Sequence, residues 1–167
     1  MELKTEVKNA LLEKKEQDRK ERIEYNSKLK EIIVYNQPGS CGVCDNVRKA
    51  LEAEEIKYIN KTISENEQEY NEITSLLNFS SRPIVVVNGY FLAYRRDFNS
   101  PEELVNIVRW VGSPTHVNSS HDSKLLEHLK TTQYNILESL KQLKQEVTPV
   151  INVMKNLLED EEEETNE

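Results

Sequence analysis

The chain holds only two cysteines, and where they stand limits what it can become. Cys41-Gly42-Val43-Cys44 follows a short apolar run, Ile32-Ile33-Val34-Tyr35, and a turn-forming stretch, Asn36-Gln37-Pro38-Gly39-Ser40. After it comes a segment with Val47, Ala50 and Leu51 on one helical face. β-branched residues and tyrosine fit a buried strand, and Pro-Gly fits a reversal, so the pair opens a helix that comes off a strand. The first turn of a helix offers free backbone N–H groups and the positive end of the macrodipole, which favour a thiolate. Cys44 lies one turn on, on the same face, within reach of a mixed disulfide formed at Cys41. With Gly42 and Val43 between them, no side chain stands in the way. Cys41 is the expected nucleophile and Cys44 the expected resolving thiol. Two other readings stay open on these residues alone: buried packing cysteines, or a metal or iron–sulfur group held by Cys41 from two chains. Two cysteines cannot complete a tetrahedral zinc site by themselves.

The rest of the middle segment alternates strand and helix signals. Residues 56–63 contain a second strand, with Tyr58 and Ile59 near its start. Residues 65–77 read as a helix with Tyr70, Ile73, Leu76 and Leu77 inward. Ile84-Val85-Val86-Val87 is the strongest strand signal, Asn88-Gly89 is a two-residue hairpin turn, and residues 90–94 return as its partner. Ser100-Pro101-Glu102-Glu103 starts a helix, with a serine cap, proline in the first turn and two acids. Leu104, Val105, Val108 and Val111 face inward along it. The order β-α-β-α-β-β-α predicts an α/β domain over residues 31–112, with one parallel strand pair and one antiparallel hairpin.

Charged residues make up 31% of the chain and hydrophobic ones 37%, too polar for one well-filled globule of 167 residues. A small core flanked by solvated helices is expected. Residues 1–30 read as a charged helix. Its apolar stripe, Leu3, Val7, Ala10, Leu11 and Ile23, nearly vanishes between Leu12 and Arg22, so the helix needs a partner. Gly112-Ser113-Pro114 breaks the last helix of the domain, and residues 113–123 read as a linker. Over residues 124–158, Leu126, Leu129, Gln133, Ile136, Leu140, Leu143, Val147, Val150, Met154 and Leu157 step by three and four alternately. That is a heptad seam with one polar member, Gln133. Pro149 is expected to kink or interrupt it. The Leu125-Leu126 and Val150-Ile151 doublets widen the stripe, which suits a bundle of more than two helices. Residues 159–167 are a self-repelling acidic tail, expected to be disordered.

Net charge is −8, which argues against nucleic acid or an anionic membrane as partner. No apolar run is long enough to span a bilayer, and Met1-Glu2-Leu3-Lys4-Thr5-Glu6 lacks the apolar core of a signal peptide. A cytoplasmic location, where thiols stay reduced, is the expectation. His116, His121 and His128 do not form a metal set and receive no role.

Three blocks of this sequence resemble the glutaredoxins and the small glutaredoxin-like redoxins that reduce ribonucleotide reductase. They are Ile32–Tyr35 through Cys41–Cys44 to Val47-Arg48-Lys49-Ala50-Leu51, then Ser80-Ser81-Arg82-Pro83 with Ile84–Val87 and Asn88-Gly89, and finally the Asp97-Phe98 region. The resemblance implies a thioredoxin-like fold of glutaredoxin type, a four-stranded mixed sheet with flanking helices, here with long N- and C-terminal helices added. It implies a dithiol thiol-disulfide oxidoreductase using Cys41 and Cys44. It also implies that Pro83 is cis and faces the cysteines, with the Arg82 backbone beside Cys41 to bond an extended thiol substrate like an added strand. On the residues alone, a trans proline at a strand start is equally open.

The sequence departs from the family in two places. Gly42-Val43 replaces the usual aromatic residue between the cysteines. Ala93-Tyr94 stands where the family has Gly-Gly, part of its glutathione platform, and Arg95-Arg96 follows. No cofactor is therefore required, and glutathione is left as a possible reductant with an incomplete platform. Arg95 and Arg96 are candidates to attract a substrate carboxylate, against the plainer reading of a solvated pair at a strand end. Tyr35, with Tyr90 and Tyr94, is a candidate floor for a substrate groove, against simple packing.

The expected substrate is a protein disulfide or a small thiol. The expected partner is a second copy or another helix along residues 126–157. The alternative is a structural subunit of a multiprotein assembly, for example a phage particle, that reuses the fold for architecture.

Overall fold

The computed structural model describes residues 2–117 and 123–164. Nine main elements run along them: α1 (Glu2–Ser27), β1 (Ile32–Asn36), α2 (Gly42–Ala53), β2 (Ile59–Thr62), α3 (Glu67–Leu77), β3 (Ile84–Val87), β4 (Tyr90–Ala93), α4 (Pro101–Val111) and α5 (Ser123–Glu164). A short 3-10 turn, Ile63–Glu65, joins β2 to α3.

The four strands form one mixed sheet in the order β2-β1-β3-β4. β1 pairs with β2 in parallel and with β3 antiparallel, and the Asn88-Gly89 turn folds β4 back on β3. Both turn residues have positive φ, 51° and 77°, the geometry that an Asn-Gly pair supplies at little steric cost.

Period-two alternation divides the core. Ile32 and Val34 of β1, with Val85 and Val87 of β3, turn to one face and pack with Val47 and Leu51 of α2 and with Leu104 and Val108 of α4. Tyr35 and Ile84 turn to the other face, against Tyr70 and Leu77 of α3. Because adjacent strand residues serve opposite faces, both layers fill from runs that are apolar throughout. α4 starts as its sequence requires: the Ser100 hydroxyl accepts the N–H of Glu103 at 3.1 Å, with Pro101 in the first turn.

The extensions attach by polar contacts. Every α1 residue from Asn9 to Arg22 is exposed. Its last turns hold the domain: Tyr25 donates to the Arg109 carbonyl (3.0 Å), Asn26 donates to the Glu54 carbonyl (2.6 Å), and Arg22 and Arg109 share Glu54. Among the described side chains of α1, the contacts with the domain lie in the C-terminal part of the helix, from the Arg19–Glu55 ion pair onward.

α5 docks on the domain through Glu127, Thr131 and Tyr134. Thr131 Oγ1 donates to the Leu77 carbonyl at 2.8 Å, and the Tyr134 ring meets Phe79 edge-on at 5.1 Å. Glu127 and Thr131 are almost fully buried. At 100° per residue these positions lie about half a turn from the heptad seam. The seam therefore points away from the domain, and Leu129, Ile136, Leu140, Leu143, Val150 and Met154 are all exposed.

Two expectations about this helix are corrected. The interruption allowed at Pro149 does not occur: one helix runs through it, with Gln145 and its neighbours open to water where the proline removes a hydrogen bond. It also continues to Glu164, so residues 159–164, expected to be disordered, are helical; glutamate is a good helix former once a long helix supplies the nucleus. Residues 165–167 of that tail, and residues 118–122 of the linker with His121, lie outside the described residues.

Candidate active site

The strand-to-helix turn carries the cysteines to the edge of the domain, where β1 ends. Cys41 is the N-cap of α2, with extended backbone at φ −138° and ψ 92°. Its Sγ accepts the backbone N–H of Cys44 at 3.2 Å, the place an N-cap oxygen usually holds. The Cys41 carbonyl accepts the N–H of Asp45 at 3.2 Å and starts the helical ladder. A sulfur so placed receives a backbone N–H bond and faces the positive end of the helix, and both stabilise negative charge on it. Asp45 adds a carboxylate to the same turn, but Arg48 pairs with it at 2.5 Å and offsets its charge.

Cys41 and Cys44 are joined as a disulfide. Cys41 is half-buried, while Cys44 is fully buried in the α2 interior. Only the first sulfur is open to an incoming thiol or disulfide, and this asymmetry separates an attacking from a resolving cysteine. A Cβ added at Gly42 would meet nothing within 4 Å, so the space beside Cys41 at this position is open.

The loop before β3 closes the other side. The Arg82–Pro83 peptide bond is cis, and the Arg82 carbonyl lies 3.9 Å from Cys41 Sγ. Tyr70 and the Tyr94 backbone hold this loop. The Tyr70 hydroxyl donates to the Ser81 carbonyl (2.7 Å), Ser81 Oγ donates to the Tyr94 carbonyl (2.7 Å), and the Tyr94 N–H donates to the Pro83 carbonyl (3.3 Å).

The structure divides the residues singled out in the sequence. Cys41, Cys44, Arg82 and Pro83 come together. Arg95 is exposed and follows Tyr94 directly, beside the same loop. Arg96 is elsewhere in function: its side chain is 1% exposed, bonded to Asp97, Glu127, Thr131 and the Phe91 carbonyl. It anchors α5 and is closed to substrate. Tyr35 is also closed, 1% exposed in the α3-side core, with its hydroxyl donating to Glu69 at 2.6 Å. Burial, helped by the Glu69 carboxylate, pushes its phenol well above the ordinary tyrosine range. Two neighbouring arginines look alike in the sequence, and only the position of α5 tells them apart. Glu127 and Thr131 carry no sequence signal of burial, since they lie off the apolar seam.

Among the described residues no group of three or more His, Cys, Asp or Glu is placed to hold a metal ion. No described helix is long and apolar enough to cross a membrane.

The glutaredoxin family model matches residues 23–92, a stretch that contains both cysteines and Pro83 and ends within β4. A solution structure of a glutaredoxin from Brucella melitensis is similar at 11% identity and a TM-score of 0.41, over 55% of this chain and 97% of that one. No curated protein matches the chain.

Proposed function

We propose that the glutaredoxin domain at residues 23–92 works as a dithiol thiol-disulfide oxidoreductase. The observation that carries this reading is the half-buried Cys41 sulfur at the α2 N-terminus, bonded to the Cys44 N–H and facing the Arg82 carbonyl across 3.9 Å, with Cys44 fully buried behind it. In the reduced protein the Cys41 thiolate attacks one sulfur of a substrate disulfide. A mixed disulfide forms and the first substrate thiolate leaves. Cys44 then gives its proton to solvent and attacks Cys41, which releases the second substrate thiolate and forms the Cys41–Cys44 disulfide. Two electrons have passed to the substrate, and a thiol reductant must return them. Reduced insulin chains should accumulate when the protein is mixed with insulin and excess dithiol, in catalytic proportion to the protein. Reduction no faster than the dithiol alone would overturn the reading. A cytoplasmic site of action belongs to the same proposal, with no cofactor required and glutathione one candidate for the returning thiol.

The second part concerns α5. We infer that a second copy of the chain covers the seam, so that the redox domains are carried on an oligomer. The support is directional. The seam turns about half a turn away from the docked face, its exposed apolar residues keep the three-four spacing of a coiled coil, and Leu137, Ile151 and Val153 widen it. Among the described residues of α5 twelve large apolar side chains are left in water, a liability unless covered. The intact chain is expected to sediment as an oligomer, and Leu140→Glu with Leu143→Glu to give monomers whose insulin reduction per chain survives. Sedimentation of the unaltered chain as a monomer at high concentration removes this part and leaves the first standing. The structural-subunit alternative requires the opposite pattern, assembly without turnover.

A further inference from the structure

Resting on the oxidoreductase reading, we propose that Arg82 and Arg95 form a pair that selects acidic peptide disulfides as substrates of Cys41. The β3–β4 ladder brings them together. Ile84 pairs with Ala93, and beyond that pair the Pro83 carbonyl accepts the Tyr94 N–H at 3.3 Å. Arg82 and Arg95 flank that bond outside the strands, Arg82 just before Pro83 and Arg95 just after Tyr94. The Arg82 carbonyl is 3.9 Å from Cys41 Sγ, so the Arg82 backbone lies beside the reacting sulfur, and the Pro83–Tyr94 bond holds the segment leading to Arg95 against the same loop.

Both arginines are exposed. Among the described residues neither side chain has a carboxylate partner, and Arg95 only lies over the Tyr94 ring at 5.8 Å. The other cations nearby are taken: Arg96 by Asp97 and Glu127, Lys130 by Glu127, and Lys141 by Glu138. Two unpaired guanidinium groups therefore face solvent at the site of a chain whose net charge is −8. Arg95 also keeps its side chain at φ 73°, a left-handed conformation that suits glycine and strains any residue with a Cβ.

The chemistry favours a peptide over a lone small carboxylate. A cleft of about 520 Å³ opens beside Tyr94 and Arg95 and runs along α5, where Lys130 and Lys141 line it together with Asp97 and Glu138. The loop at Arg82 presents its backbone to an added strand, and alternate residues of such a strand stand about 7 Å apart. An extended peptide can thus set its cysteine against Cys41 and acidic side chains against the arginines, with the remainder in the cleft.

The test uses the full-length reduced protein and cysteine peptides carried as mixed disulfides with a chromogenic thiol. The peptides differ only in the residues flanking cysteine: Asp, Asn or Lys. The Asp peptide is expected to be reduced with kcat/KM roughly fivefold above the Asn peptide, through KM, as two exposed charge pairs would give. The preference should shrink in about 0.5 M salt. Arg82→Gln with Arg95→Gly should erase the preference, and Arg82→Lys with Arg95→Lys should restore most of it. Glycine at 95 relieves the backbone, so loss of folding is not the expected cause. Equal rates on all three peptides, a preference that persists in the Gln/Gly variant, or faster reduction of a glutathione mixed disulfide than of the Asp peptide would each overturn the selection while leaving the oxidoreductase in place. Failure to reduce any of them overturns both.

Discussion

Cys41→Ser is expected to bring disulfide reduction down to the rate of the reductant alone, a loss on the order of a thousandfold or more, because the remaining thiol, Cys44, is fully buried. Cys44→Ser should behave differently. Cys41 keeps its place at the helix N-terminus, so attack on substrate proceeds and stops at the mixed disulfide, which accumulates one substrate per chain and is visible by mass. The burial difference produces this contrast: Cys44 is fully buried and meets only what is already attached to Cys41. If the two serine variants lose activity alike and neither traps substrate, the order of attack proposed here is wrong.

The second large effect is structural and concerns Arg96. Its side chain is 1% exposed and its two carboxylate partners, Asp97 and Glu127, are 11% and 3% exposed. A buried ion cluster contributes little over a well-packed apolar one, but removing one member strands the rest. Arg96→Ala leaves two buried carboxylates with Lys130 as their main cation and leaves the Phe91 carbonyl without its donor. The expected cost is about 3–5 kcal/mol. It should fall first on the α3–α5 contact, since Thr131 and Tyr134 dock only while α5 is seated. Amide exchange over the first turns of α5 should rise by orders of magnitude, and the urea midpoint should drop. Arg96→Met with Glu127→Leu, which removes two charges together, should recover much of the loss. Unchanged exchange in α5 after Arg96→Ala contradicts the anchoring role.

The fold was legible in the sequence because local signals agreed with the tertiary arrangement. The Ile84–Val87 run, the Asn88-Gly89 turn and the Ser100-Pro101 cap each had one sensible reading, and each occurs. The Cys41–Cys44 pair was legible for the same reason, since a strand, a turn and a helix leave the first cysteine few places to go. The polar docking of α5 was not. Heptad periodicity identifies the apolar face of a helix, and that face here points away from the domain. Glu127 and Thr131 are buried only because Arg96 and the Leu77 carbonyl, distant in sequence, meet them. Tyr35 shows a similar limit: on a strand covered on both faces, alternation does not say which side chains border a groove and which are sealed beneath a helix.

The central claim, that position 41 holds an activated sulfur and position 44 a sheltered one, is tested most directly by alkylating the fully reduced protein across a range of pH and mapping the label. The account predicts that iodoacetamide modifies Cys41 already near pH 6, where an ordinary thiol is almost wholly protonated, and spares Cys44. Labelling of both cysteines at similar rates, and only as pH approaches the ordinary thiol value of about 8.5, would contradict it.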